Sequence, residues 1–351
     1  MEQLKPSAIY EDLLQELGEG NYQQAIEDAS GLIAIAHMMD EFKYVLLGKY
    51  LLGIAYYYSY DYRNSIDKYM ELLNILLEVE MDLEAIGLEP DFYDKVRYGM
   101  ALDMYHLGDL DGGAIIIDQL LTESKSVQVI YDSIILLGII YLMMYEVRHE
   151  LGFLATTLEM YLTLLEEGDL AEEKEAMLYN NLAILFIHRG QYDKAQDMLN
   201  HSFMRGTSPL ELASLFNENA RIHLLTEKYN KGEKILDKAR GYLKDCDDPL
   251  ERSYHLFLRG LLNKPESKIK ALQLFEKSSH LAKKYNDLPG QIRVYEELAS
   301  LYQELGYEDN LDYLIELKNL KKKISPVKEV IEWKDRWRDI KDHVTPGQTL
   351  S

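Results

Sequence analysis

Histidines, cysteines and carboxylates build most active sites, and here their spacing builds none. The run Arg148-His149-Glu150-Leu151-Gly152 begins like the zinc-binding helix of a metalloprotease. That motif needs a second histidine four residues after the first, one helical turn along the same face; position 153 is Phe. The nine histidines form no other close ligand pair, and the single cysteine, Cys246, excludes an intramolecular disulfide and a multi-cysteine zinc site. No glycine-rich phosphate loop is present, since Gly112-Gly113 falls at a helix turn. With 60 Asp and Glu in 351 residues, carboxylate pairs arise on solvated helix faces and mark no site. The expectation is a protein that is not an enzyme and needs neither cofactor nor metal.

Two residues suited to binding stand out instead. Asn180 and Asn217 lie inside apolar, helix-forming stretches, where asparagine is a poor helix former. A primary amide donates and accepts at once, so it can pair with both groups of a peptide unit. The competing role, for Asn180 with its neighbour Asn181, is simply to face water or to bond to a neighbouring helix end.

The elements that would hold such groups are repeated. Pro209, Pro249 and Pro289 stand forty residues apart, and Pro326 follows after thirty-seven. Ser208-Pro209-Leu210-Glu211 is a capping box with Pro at the first helical position, and Asp248-Pro249-Leu250-Glu251 repeats its logic. A finer pattern lies inside these periods. Gly53, Ala183 and Ala220 are each followed nine residues later by Tyr62, Tyr192 and Tyr229, and twelve later by Ser65, Ala195 and Gly232. Small residues let antiparallel helices approach, while aromatics three positions on, as at Tyr56, Phe186 and Tyr302, fill the space between pairs. Extending the pattern places the first small position at Leu13, Gly53, Ala101, Gly138, Ala183, Ala220, Gly260 and Ala299. The fourth copy needs an insertion between Tyr141 and Tyr161, and the seventh, around Lys264-Pro265, is off by one.

This pattern resembles the tetratricopeptide repeat (TPR), a helix-turn-helix unit with small, Tyr and Ala positions at these offsets. The resemblance implies an all-α, right-handed TPR-like solenoid of about eight helix pairs plus a C-terminal capping helix. Its expected organisation is a repeat array over residues 1–325, a capping helix over 326–344, and a flexible tail over 345–351. In such a solenoid the first helix of each pair lines the concave wall, and the position three before the small residue points into the groove. Along the chain that position reads Tyr10, Tyr50, Tyr98, Ile135, Asn180, Asn217, Phe257 and Glu296. Arg221, one turn after Asn217, shares its face. For the tyrosines, packing between helices competes with ligand contact.

More narrowly, the YNNLA stretch from Tyr179 to Ala183 and the KALQLFEKSSHLAKKYND stretch from Lys270 to Asp287 are similar to the peptide-pheromone receptors of Firmicutes, the Rap and PlcR/NprR type. That resemblance implies a cytoplasmic regulatory receptor holding a short peptide in its groove, with Asn180, Asn217 and Arg221 as backbone contacts and Tyr98, Tyr50, Phe257 and Glu296 along the same wall. The first repeat begins almost at once, so the N-terminal DNA-binding domain or three-helix bundle of those receptors is not expected here. The alternatives are a passive interaction scaffold, engaged near Trp333 and Trp337, and a Rap-like response-regulator phosphatase.

Charge narrows the partners. The net formal charge is -22, opposite to what nucleic acid or an anionic membrane attracts. Residues 1–100 hold 19 acidic and 7 basic side chains, whereas residues 251–351 hold 16 and 18. The expected partner is a short peptide or an extended segment of a protein; a homodimer stays open. The N-terminus lacks the basic and apolar regions of a signal peptide, and the apolar run Ile134 to Tyr145 is shorter than the roughly 20 residues that span a bilayer.

Overall fold

The computed structural model describes residues 5–344 apart from 80–82, 206–207, 247, 308–309 and 329. The 345–351 segment, expected as a flexible tail, lies outside the described residues. Seventeen α-helices and no strand occur among the described residues, and the chain divides into two compact units. Unit 1 comprises residues 1–136, 326–328 and 334–348; unit 2 comprises 137–325, 329–333 and 349–351.

Unit 1 contains α1 (Pro6–Glu19), α2 (Tyr22–Met38), α3 (Phe42–Tyr58), α4 (Tyr62–Val79), α5 (Phe92–Leu107), α6 (Leu110–Glu123) and the beginning of α7 (Val127–Arg148). Consecutive helices from α1 to α6 pack on one another. Leu13, Ala25, Ala29 and Leu32 form one buried cluster with Leu51, Leu52 and Ala55; Leu46, Tyr69, Leu72, Phe92 and Val96 form a second. Late in the chain, Trp337 is buried and Arg336 pairs with Asp118 at 2.6 Å, while also donating to Thr122.

Unit 2 holds the rest of α7 and α8 (Leu151–Glu167), α9 (Glu172–His188), α10 (Tyr192–Phe203), α11 (Pro209–Leu225), α12 (Tyr229–Tyr242), α13 (Pro249–Asn263), α14 (Lys268–Lys284), α15 (Leu288–Leu305) and α16 (Asn310–Lys323). The indole of Trp333 is buried and donates to Thr163 at 3.1 Å.

The repeat offsets correspond to the hairpins. Tyr62, Tyr192 and Tyr229 are the first residues of α4, α10 and α12. Just before them the chain reverses through a left-handed residue: Tyr60, Gly190 and Glu227, as also Gly20, Gly108, His149 and Gly306 in the other turns. The amide that follows reaches back five residues, as in Asp61 to Tyr56, Gln191 to Phe186 and Lys228 to His223, and satisfies a carbonyl left open by the ending helix. The α13–α14 turn has no such residue among those described; it contains Pro265, whose ring fixes φ negative, which accounts for the one-residue offset of the seventh copy.

Close approach of the two helices is specified by paired residues. A Cβ added to Gly53 would fall 2.6 Å from the Tyr69 ring, one on Gly138 2.4 Å from the Tyr161 ring, and one on Gly260 2.4 Å from Phe275. Each aromatic stands four residues after a buried Ser65, Thr157 or Ala271. Where the first small residue is Ala, as at Ala183 and Ala220, the residue four after the second small position is the buried Leu199 or Leu236. Glycine thus accompanies a ring, alanine a leucine. In the fourth hairpin the Gly-to-aromatic interval is 23 residues rather than the 16 between Gly53 and Tyr69, a lengthening of seven, or about two helical turns shared between α7 and α8.

Three expectations change. The C-terminal helix, α17, runs from Trp333 to His343 rather than from Pro326 to Val344. The helix containing the apolar run is 22 residues long, with mean hydropathy 2.0 over its most apolar window, and is long enough to cross a bilayer; 78% of that window is buried within the protein. Trp333 and Trp337, near which only the scaffold alternative placed an interaction face, are buried, which suits Trp337 as part of a packed capping helix.

Candidate functional site

In unit 2 the first helices of successive hairpins lie side by side: α9 against α11, α11 against α13, and α13 against α15. Their starts are set locally. Ser208 accepts from the Glu211 amide while Glu211 accepts from the Ser208 amide, completing the capping box of α11. Asp248 caps α13 through the Glu251 amide at 2.7 Å, but Glu251 does not fold back to complete a box. Its carboxylate instead accepts from the Asn217 amide on α11 at 2.6 Å.

Asn217 is fully buried, and its amide oxygen lies 2.9 Å from Nδ1 of His255, one turn after Glu251. The amide therefore ties α11 to α13. Burial pushes Glu251 up to about 7, with the Asn217 bond pulling the other way and Glu218 and Asp248 adding to the rise. Burial and the nearby Arg259 and Arg240 push His255 down to about 4, so the imidazole is neutral at pH 7.

A turn along α11, Arg221 sits 3.5 Å from Glu218, both largely buried. Their neighbours come from several helices. On α7, Glu146 lies 3.2 Å from His188 of α9. Burial opposes its charge, but His188 together with Arg293 and Arg221 outweighs burial and holds the carboxyl at about 2. On α15, the Arg293 guanidinium lies 4.6 Å from the ring centroid of Tyr254 on α13 and 6.0 Å from that of Phe257. Groups from α7, α9, α11, α13 and α15 thus act on one another, and the first helices of unit 2 face a common polar interior.

Several buried polar atoms on these first helices have no hydrogen-bond partner among the described residues, the Tyr254 hydroxyl and the Asn181 amide nitrogen among them, and two matter here: Oδ1 of Asn180 on α9 and Nε of Arg293 on α15. One accepts and the other donates. A buried polar atom left unpaired costs about 1–3 kcal/mol, so both reward an incoming group that pairs with them.

The remaining expected residues are distributed differently. Phe257 packs on Phe275 across its own hairpin, with centroids 5.6 Å apart. Glu296 is half exposed and pairs with Lys321 of α16 at 2.7 Å. In unit 1, Tyr50 packs against Tyr69 and Phe92, and burial raises its phenol pKa; Tyr98 on α5 is likewise raised, by burial first and then by Asp132. The position three before the small residue thus meets a neighbouring helix at Tyr50, Asn217, Phe257 and Glu296. Sequence reasoning missed Glu146, Glu218, Tyr254 and Arg293. A signal existed: Tyr254 and Arg293 both stand six residues before the small residue of their hairpin, Gly260 and Ala299.

Stacked helical hairpins with a polar inner wall define a TPR-like repeat protein. No family model matches the chain, and no curated protein matches it. Solved structures do. The apo quorum sensor NprR from B. thuringiensis is 18% identical, with TM-score 0.58, over 88% of this chain and 87% of that one. The Rap conjugation gene regulator of plasmid pLS20, in complex with the Phr* peptide, is 13% identical, with TM-score 0.64, over 93% and 98%. Aspartyl phosphate phosphatase F from Bacillus subtilis is 13% identical, with TM-score 0.56, over 95% and 88%. The chain has the all-α fold of these Rap and NprR proteins.

Proposed function

We propose that this protein is a cytoplasmic regulatory receptor that takes a short peptide, or an extended segment of a partner protein, along the inner wall of unit 2. The observation that carries this reading is the presence, on the first helices of unit 2, of unsatisfied buried atoms of both kinds, the acceptor Asn180 Oδ1 and the donor Arg293 Nε. A peptide backbone presents an N–H and a C=O at every residue and can supply the missing donor and acceptor together. The Phr* peptide in the pLS20 regulator supports the reading through likeness of fold. Asn217 contributes by fixing α13 against α11, and Arg221 by its charge beside Glu218 and Glu146.

The test is selection of binders from a random hexapeptide library on the full chain, followed by calorimetry with the best peptide. Asn180→Ala should weaken that peptide about tenfold, the equivalent of one buried hydrogen bond. Recovery of no peptide beyond an unrelated control protein, or unchanged affinity in a folded Asn180→Ala variant, would refute the assignment. A second reading, dephosphorylation of a response regulator, is favoured by the likeness to aspartyl phosphate phosphatase F over 88% of that chain. Loss of radiolabel from a phosphorylated response regulator of the native host would establish it.

A further inference from the structure

Away from the inner wall, the last two hairpins of unit 2 enclose a second constellation. Helices α14, α15 and α16 surround a pocket of about 450 Å3 lined by Tyr295, Tyr302, Tyr313, Glu276, Asp312 and Glu316. The rings cluster: Tyr313 lies 5.1 Å from Tyr302 and 5.7 Å from Tyr295, centroid to centroid. Tyr302 donates its hydroxyl to Glu276 at 2.8 Å, which fixes both side chains.

The carboxylates of α16 are in a different state. Asp312 and Glu316 are exposed, stand one turn apart on the same helix face, and have no ion pair among the described residues. Like charges at this spacing repel. A cation between them would turn that repulsion into attraction. Lys283, exposed at the rim, is the one lysine or arginine among the lining residues, against three carboxylates.

Electron-rich rings beside acidic groups are the chemistry that recognises an organic cation, since the ring quadrupole and the carboxylates act with the same sign. An anion would meet three negative charges, and a neutral apolar ligand would strip water from carboxylates without replacing it. We propose that this pocket binds a guanidinium or alkylammonium group. The site is separate from the peptide wall and does not depend on it.

Calorimetry on the full chain would use three probes: N-acetyl-arginine methylamide, an octapeptide with two arginines, and the same octapeptide with citrullines. Citrulline keeps the shape and removes the charge. The arginine octapeptide should bind at least about tenfold more tightly than the citrulline one. Asp312→Asn with Glu316→Gln should weaken it about 5- to 20-fold, and Tyr313→Leu by a similar factor, with helical circular dichroism retained. Glu172→Gln with Glu173→Gln removes equal charge from α9 and should leave affinity unchanged; Asn180→Ala should do the same, which separates this site from the peptide wall. A single-residue amide binding as tightly as the octapeptide identifies a small-molecule cation, and a markedly tighter octapeptide identifies a protein segment. Equal binding of the arginine and citrulline peptides, equal losses from the two charge-removing pairs, or no binding of any probe would overturn the proposal.

Discussion

Asp103, on α5 of unit 1, offers a quantitative test of the packing described above. Its side chain is fully buried, and neither carboxylate oxygen has a hydrogen-bond partner among the described residues. Burial pushes the carboxyl up to about 8 from an ordinary 3.8, against a small opposing pull from Ser65, whose hydroxyl is given to the Gly53 carbonyl at 2.9 Å. The titratable groups around it are neutral through the middle of the pH range. Burial raises Tyr57 and Tyr69 well above the usual phenol value and holds His106, bonded to Tyr57 at 3.2 Å, at about 4. At Asp103 the folded state therefore holds a proton that the unfolded state has lost between pH 4 and 8, and this group's contribution to stability falls as pH rises through that window. The slope is about 1.4 kcal/mol per pH unit, which accumulates to about 4 kcal/mol by pH 7. Asp103→Asn keeps the shape and removes the titration. Urea unfolding at pH 5, 6, 7 and 8, followed by circular dichroism and by hydrogen exchange of α5 peptides, should show the variant gaining on the parent by roughly 1 kcal/mol for each pH unit. Parallel pH profiles for the two proteins, or a gap that widens towards acid, would show that Asp103 is not a buried neutral acid.

Two further outcomes follow from the paired residues. Gly260→Ala drives a methyl into Phe275, which is fully buried and cannot withdraw, and should cost about 1–3 kcal/mol in urea unfolding; adding Phe275→Leu should recover much of it, because Ala with Leu is the combination at Ala183 and Leu199. A Gly260→Ala variant as stable as the parent would contradict the close approach of α13 and α14. Asn217→Ala removes the bonds to Glu251 and His255 and should lower stability by about 2–3 kcal/mol in thermal or urea unfolding, whereas Glu251→Gln, which keeps an acceptor for the amide, should cost less than about 1 kcal/mol. Equal losses in the two variants would remove Asn217 from its tie between helices.

The hairpins were legible in the sequence because their determinants are local. A small residue, a turn nine residues later opened by tyrosine, and a proline-capped helix start all act within one or two turns of chain. What escaped was the direction of each side chain around the first helix. Phe257 and Glu296 share a register position with Asn180, yet one fills its own hairpin and the other pairs with α16. Residues one position apart differ by about 100° around a helix, so a small error in register exchanges a groove residue for a packing residue. Charges meeting from separate hairpins, such as Glu146 with Arg293, are brought together only by stacking, and no local pattern encodes their encounter. The capping sequence at Asp248 misled for a related reason: Glu251 has the right spacing to close the box but finds a better donor on another helix.

The lengthened fourth hairpin has a consequence of its own. Seven residues make almost two whole turns, so the addition leaves each side chain facing as before and disturbs no contact further along. Glu146 stands eight residues after Gly138, beyond the point where α3, α9 and α11 have ended relative to their own small residues. The carboxylate that acts on two guanidiniums is thus delivered by a segment that the other hairpins do not possess. A modular architecture can in this way acquire an ionic anchor by growing a single module, without retuning its neighbours.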